Sequence, residues 1–252
     1  TLVFLGLIVM LMYLYLGEIV LRTKGDHQLT GYSEKYLGKW GKFVMAISMV
    51  VGIYGALIAY FIGESQALSA IFGGNPLYYN IGFFVFIAVI IHLGLKAVRE
   101  SELLFSAIVL FIVLVIIALT INHVDVTNLD SFSINKFFVP YGVILFAYLG
   151  MAAIPEMKEE LKGNLKCMKK AIIIGASIPI IAYFLFALVV VGAIGLEQFE
   201  SLAPNERIAT IALGSVVGKS MFVFGNLFAI FAMLTSFLAL GLALKEMYIF
   251  DY

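Results

Sequence analysis

The residues best suited to chemistry are scarce where this chain is most apolar. Inside or at the edges of its long apolar runs, the ionisable side chains are Glu18, Glu64 and His92. Such groups are functional candidates by default when a bilayer surrounds them. Glu18 precedes Arg22 by four residues, so it either forms an i,i+4 ion pair at an interface or works inside the bundle. Glu64 falls near the outer end of its run and reads as a rim residue. His92 reads as interfacial. No lysine lies at mid-run, and a proton pump built on buried carboxylates is not expected. The one cysteine, Cys167, excludes an internal disulfide and any multi-cysteine metal site.

The polar groups left for the interior are backbone, hydroxyls, tyrosines and Asn226. The most informative segment reads Phe146-Ala147-Tyr148-Leu149-Gly150-Met151-Ala152-Ala153-Ile154-Pro155. Gly150 lies near the expected midplane, and Pro155 removes a donor and clashes with the preceding turn. One reading is a helix broken near Met151, with freed backbone lining a cavity. Its two half-helix ends then offer opposite poles to a zwitterion. The other reading is a proline kink with small residues for helix packing. Thr235 and Ser236 are adjacent hydroxyls near mid-membrane, either bonded back to their own helix or facing a cavity. Tyr54 and Tyr60, interleaved with Gly52, Gly55 and Gly63, either pack as core or line the remaining space.

These residues require long helices to position them. Of 252 residues, 63% are hydrophobic and 13% charged, against about 25% charged in soluble domains. Lipid is therefore the expected solvent. The formal net charge is zero, which leaves no basic footprint for nucleic acid. Seven stretches are long and apolar enough to span, which takes about 20 residues: roughly 1–21, 42–72, 77–97, 103–121, 137–157, 171–196 and 220–244. The fold class is an all-α polytopic membrane protein, one transmembrane domain over 1–252. Thirteen of the 16 Lys and Arg residues fall in alternate connections, at 22–42, 96–99, 158–170 and 245. By the positive-inside rule, the first span starts outside and the seventh ends in the cytoplasm. Residues 29–40 read as a short interfacial helix with Trp40 at the headgroups. Residues 208–217 read as a re-entrant or capping helix after Pro204. Thr1 already lies in an apolar run without a basic segment before it, so residues are expected upstream.

Several of these segments together resemble the amino acid–polyamine–organocation superfamily, most closely its amino acid/auxin permease branch. Leu16-Gly17-Glu18 with Arg22, then Tyr36-Leu37-Gly38, resemble the family's second helix and following loop. Phe146-Ala147-Tyr148 running to Pro155, followed by Glu159-Glu160-Leu161-Lys162, resembles the sixth. Phe231-Ala232, Leu234 and Thr235-Ser236 resemble the eighth. The resemblance covers essentially the whole chain. It implies a LeuT-type fold of two inverted five-helix repeats, the fold that also illustrates broken helices in the general account of transporters. The first helix and those after the eighth would be missing, so the chain as given is not expected to transport.

The resemblance further implies a plasma-membrane permease for a neutral, perhaps hydrophobic or aromatic, amino acid, working by alternating access. Substrate would meet Tyr60, Phe146, Ala147, Tyr148, Leu149, Gly150 and Ala152. The Ala232 carbonyl with Thr235 and Ser236 would form a sodium site, sodium being favoured over a coupling proton. Glu18 would steady the broken helix from behind. No cofactor is implied and no metal beyond that sodium. A seven-helix receptor fits the count and orientation equally well, although it lacks a mid-membrane lysine in the last span. An enzyme would need a cluster of His, Asp or Glu at depth, which the sequence does not present. The second span is expected to be the longest helix, and the fifth to leave regular helical bonding between Phe146 and Pro155.

Overall fold

The computed structural model describes residues 1–93, 95–130, 134–202, 209–218 and 220–252, the side chains of 95–99 and 211 excepted. The Lys96 and Arg99 side chains, and Pro204, Arg207, Ile208 and Lys219, lie outside that description. Ten α-helices run through the described residues: α1 (Leu2–Arg22), α2 (Leu29–Phe72), α3 (Pro76–Leu93), α4 (Leu95–Thr120), α5 (Tyr141–Ala147), α6 (Ala153–Glu160), α7 (Met168–Ile194), α8 (Leu196–Ser201), α9 (Ala209–Val217) and α10 (Ser220–Phe250). Short 3-10 turns link α4 to α5 and α6 to α7.

Six of these helices are long and apolar enough to cross a bilayer: α1, α2, α3, α4, α7 and α10. The fifth expected span, 137–157, is not one helix. It opens on a turn at 137–140 and continues as α5 and α6, separated by residues 148–152. Six continuous helices and this interrupted pair stand in place of the seven expected spans, and the interruption falls within the expected stretch from Phe146 to Pro155. Large apolar side chains such as Phe4, Leu11, Val51, Phe84, Phe111 and Ile181 remain exposed around the bundle. Water would not tolerate so much apolar surface on a soluble domain, whereas lipid solvates it.

Helix α2 contains a bend that its sequence explains. Gly38 adopts φ 70° and ψ −167°, a conformation open essentially to glycine alone. It separates the expected interfacial helix, which begins at Leu29, from a membrane-spanning stretch that runs on to Phe72. That stretch alone is longer than the 31 residues of α10. Trp40, just past the bend, is 79% exposed, as suits an indole at the headgroup level.

Packing joins two groups of helices. Helix α10 lies against α2, α3, α4 and α9, while α1 lies along α7 and touches α5 and α6. Contact between α4 and α7 connects the groups. Glycines set the α1–α7 approach. A Cβ on Gly6 would fall 2.7 Å from Ile180 Cγ1, and one on Gly17 would fall 2.5 Å from Ile172 Cδ1. Close approach over small residues is the usual means of helix association in lipid, where no hydrophobic drive brings helices together. On the α10 side, Leu234, Leu238 and Leu242 pack on Phe83, Ile87 and Ile90 of α3.

Candidate functional site

The break between α5 and α6 carries the candidate site. Regular bonding ends where Tyr148 N–H reaches both Ile144 and Leu145 carbonyls, and Leu149 N–H bonds Phe146. It resumes as Ala153 N–H bonds Gly150 and Ile154 N–H bonds Met151. The Met151 carbonyl is therefore occupied, not released as the sequence suggested. Pro155 stands in the first turn of α6, where its missing N–H is one the helix would leave unpaired anyway. Gly150 sits in the gap itself. The N–H groups of Met151 and Ala152 have no hydrogen-bond partner among the described residues.

Three side chains from other elements hold the carbonyls of the break. The Tyr13 hydroxyl of α1 donates to the Tyr148 carbonyl. The Tyr183 hydroxyl of α7 donates to the Ala147 carbonyl at 3.3 Å. Gln28 is fully buried. Its amide nitrogen donates to the Ala152 carbonyl at 3.2 Å, while its oxygen accepts from Leu29 N–H at 2.9 Å and caps the interfacial helix. Unpaired backbone at membrane depth is costly, and these three residues remove much of that cost without closing the gap.

A cavity of about 270 Å³ opens beside the break, between α1 and α7. Its walls include Tyr13, Tyr148, Gly150, Pro179 and Tyr183. The Tyr148 and Tyr183 rings lie 5.4 Å apart at 42°. The Tyr148 hydroxyl is buried without a partner among the described residues, pressed against Gly6, where an added Cβ would fall 2.9 Å from it.

The sequence-derived site residues divide. Ala147, Tyr148, Leu149 and Gly150 line this cavity. Phe146 is 54% exposed and is not in its wall, and Ala152 instead packs with Leu244 and Met247 near the end of α10. Tyr60 is half-buried. Thr235 donates its hydroxyl to the Ala232 carbonyl at 2.9 Å, and Ser236 beside it is half-buried. Glu18 does not lie behind the break. It accepts from Arg22 Nε at 2.6 Å with 56% of its side chain exposed, because a partner one turn away on a lipid-edge helix outcompetes a more distant backbone. Glu64 is not a rim residue either, being 2% exposed. The offset between α2 and its neighbours hid this: Gly63 packs on Met233, near the middle of α10.

Sequence reasoning missed Tyr13, Tyr183 and Gln28. Tyrosines in apolar helices resemble core, and Gln28 sits in a loop with nothing local to mark it. Also missed is the loop 23–28 as a clamp. Lys158 of α6 donates to the Thr23 and Gly25 carbonyls at 3.1 and 2.6 Å. Lys162 pairs with Asp26 at 3.3 Å, a hydrogen bond that raises the lysine above its ordinary pKa. At the start of the interfacial helix, Asp251 accepts from Thr30 and from Gly31 N–H at 2.8 Å, with His27 3.4 Å away.

Comparison with known proteins gives the lineage. The chain is 24% identical over 245 residues to tyrosine-specific transport system 1 of Haemophilus influenzae, covering 91% of this chain and 59% of that one. It is 25% identical over 247 residues to glutamine transporter 2 of Aliivibrio fischeri, covering 92% and 61%. Tyrosine-specific transport system 2 of Haemophilus influenzae is 24% identical over 244 residues, covering 88% and 57%. The chain thus spans about three-fifths of the length of these relatives. No solved structure matches. The family model that matches, over residues 1–252, is that of the tryptophan/tyrosine permease family. It is a different family from the amino acid/auxin permeases and corrects that expectation. The motifs behind the resemblance are short, and they report how a broken helix and a hydroxyl pair are built more than descent. A permease family also displaces the receptor reading and is not a family of enzymes. The chain belongs to the tryptophan/tyrosine permease family.

Proposed function

We propose that this chain is part of a cation-driven permease for an aromatic amino acid, bound at the break between α5 and α6. The observation that carries the reading is the cavity walled by Tyr13, Tyr148 and Tyr183 beside an interrupted helix. At about 270 Å³ it lies just below the span of about 300–1,000 Å³ used by drug-sized ligands, and suits a single amino acid. The unpaired N–H groups before α6 favour a carboxylate, and the carbonyl end of α5 favours an ammonium. The Tyr148 and Tyr183 rings, tilted at 42° to each other, favour an aromatic side chain. Two relatives named for tyrosine transport support the same class.

On this reading the six long helices and the interrupted pair belong to two inverted five-helix repeats of the LeuT type, in the plasma membrane. The cytoplasm lies on the side of the Lys158 clamp and the end of α10, in line with the lysine and arginine distribution. Uphill transport draws on a cation gradient, for which the Ala232 carbonyl with Thr235 and Ser236 is one candidate location.

The test is uptake of labelled tyrosine by the complete permease in proteoliposomes, with competition by phenylalanine, tryptophan and glutamine. The expected result is competition by the aromatic amino acids and little by glutamine. Preference for glutamine, matching the Aliivibrio relative's name, would overturn the aromatic assignment. A second arm uses Gly150→Val. A Cβ on Gly150 would fall 3.1 Å from the Tyr13 hydroxyl, so uptake should drop sharply.

A further inference from the structure

Glu64 is a carboxylic acid set at mid-depth in a helical bundle without an evident purpose. Its level follows from its neighbours: Gly63 packs on Met233 of α10, and Phe61, one turn earlier, meets Phe83 and Phe84 of α3. Glu64 is 2% exposed, and its Oε2 is buried with no hydrogen-bond partner among the described residues. On α3, the Asn80 Oδ1 is likewise buried and unpartnered.

Among the described residues, no charged group faces this acid from the helices packed on α2. The titratable groups of α3 are Tyr78, Tyr79 and His92. Tyr79 turns its hydroxyl to the Gly73 carbonyl at 2.8 Å, Tyr78 is exposed, and His92 stands exposed at the opposite end. Those of α10 are Lys245, Glu246 and Tyr248, all at the same far end, with Lys245 donating to the Ile91 carbonyl at 2.8 Å. On α2 itself the nearest is Tyr60, one turn before Glu64. An ionised carboxylate so placed, lacking both cation and donors, is strongly disfavoured. No group of three or more His, Cys, Asp or Glu among the described residues could hold a metal ion there.

We propose that Glu64 binds the coupling proton of this permease, an inference that rests on the permease reading above. In the packed state Glu64 carries a proton on its carboxyl. It releases that proton, leaving a carboxylate, only when a conformational change admits water to the α2–α3–α10 interface. One proton taken up from outer water is delivered to inner water, and nothing is oxidised or reduced. Tyr60 lies four residues from Glu64, and so on the same helix face, and is half-buried.

The experiment uses the complete permease in proteoliposomes with labelled tyrosine. Three conditions are compared: an inward proton gradient, an inward sodium gradient at equal pH, and counterflow without any ion gradient. For one proton per substrate, each pH unit sustains up to about tenfold accumulation. Wild-type protein should accumulate tyrosine under the proton gradient and gain nothing from sodium. Glu64→Gln should lose accumulation yet keep measurable counterflow, and Glu64→Asp should regain part of the accumulation. Wild-type protein should also draw protons into the vesicles when tyrosine is added, read by a trapped pH dye, so the result does not depend on a variant folding. Accumulation that follows sodium alone, undiminished proton-driven accumulation in Glu64→Gln, or no proton movement with tyrosine would each overturn the role of Glu64, while counterflow preserves the permease reading. Absence of wild-type counterflow with any amino acid tried would overturn both.

Discussion

Replacing Tyr13 with phenylalanine isolates one bond at the break. The ring and its packing on α1 remain, and only the hydroxyl that reaches the Tyr148 carbonyl is lost. Two magnitudes compete. Orphaning a buried acceptor costs about 1–3 kcal/mol in proteins generally. Polar contacts between membrane helices average nearer 0.6 kcal/mol and reach about 1.7, because the unfolded state in lipid also finds partners. Tyr148 is 7% exposed and its carbonyl lies at membrane depth, which argues for the upper part of the second range. The expected loss is about 1–1.5 kcal/mol, or roughly a five- to tenfold shift against the held form of the break. Thermal unfolding in detergent should fall by a few degrees, and tyrosine should bind about five- to tenfold more weakly, read by equilibrium binding to the purified permease. Both measurements are needed, since lost packing alone would lower stability without changing affinity. A Tyr13→Phe protein with wild-type stability and wild-type affinity would refute the view that this hydroxyl holds the break.

Gly38→Ala places a Cβ where the backbone adopts φ 70°, at a cost of about 1–3 kcal/mol. Because nothing lies within 4 Å of that Cβ, the loss should appear in unfolding as backbone strain, and an unchanged midpoint would show that the bend relaxes freely. Asp251→Ala leaves the Thr30 hydroxyl without its acceptor and the Gly31 N–H with the Gln28 carbonyl alone, at 3.0 Å. It should destabilise by about 2–3 kcal/mol and loosen the interfacial helix in hydrogen exchange; normal protection over residues 29–37 would contradict this.

The long helices and their order were legible because lipid imposes a length and a polarity that composition records directly. The bend at Gly38 was half-legible: the boundary between interfacial helix and span was expected near there, but only the backbone angles show why glycine marks it. The break was legible from Gly150 and Pro155, which point to Met151, inside the gap at 148–152; the part Pro155 plays there was not. A proline signals a helix start as readily as a helix end, and the sequence does not say which. Glu64 was misplaced because its depth depends on how far α2 slides along α10, a tertiary offset with no local signature. Glu18 left two readings open, a pair with Arg22 one turn away and a place inside the bundle, and the structure takes the first. Tyr13 and Tyr183 were invisible as site residues, since an aromatic side chain in an apolar helix gives the same pattern whether it packs in a core or holds a carbonyl.

The loop between α1 and the interfacial helix has a mechanical consequence. Gln28 grips the Ala152 carbonyl, Lys158 grips the loop carbonyls, and Thr30 and Gly31 grip Asp251 at the end of α10. A swing of α6 away from the bundle must therefore tear these bonds or drag the loop and its amphipathic helix along the membrane surface. In the second case the lipid headgroups around Trp40 form part of the load against which the transporter moves. Headgroup size and charge would then influence turnover without touching the substrate.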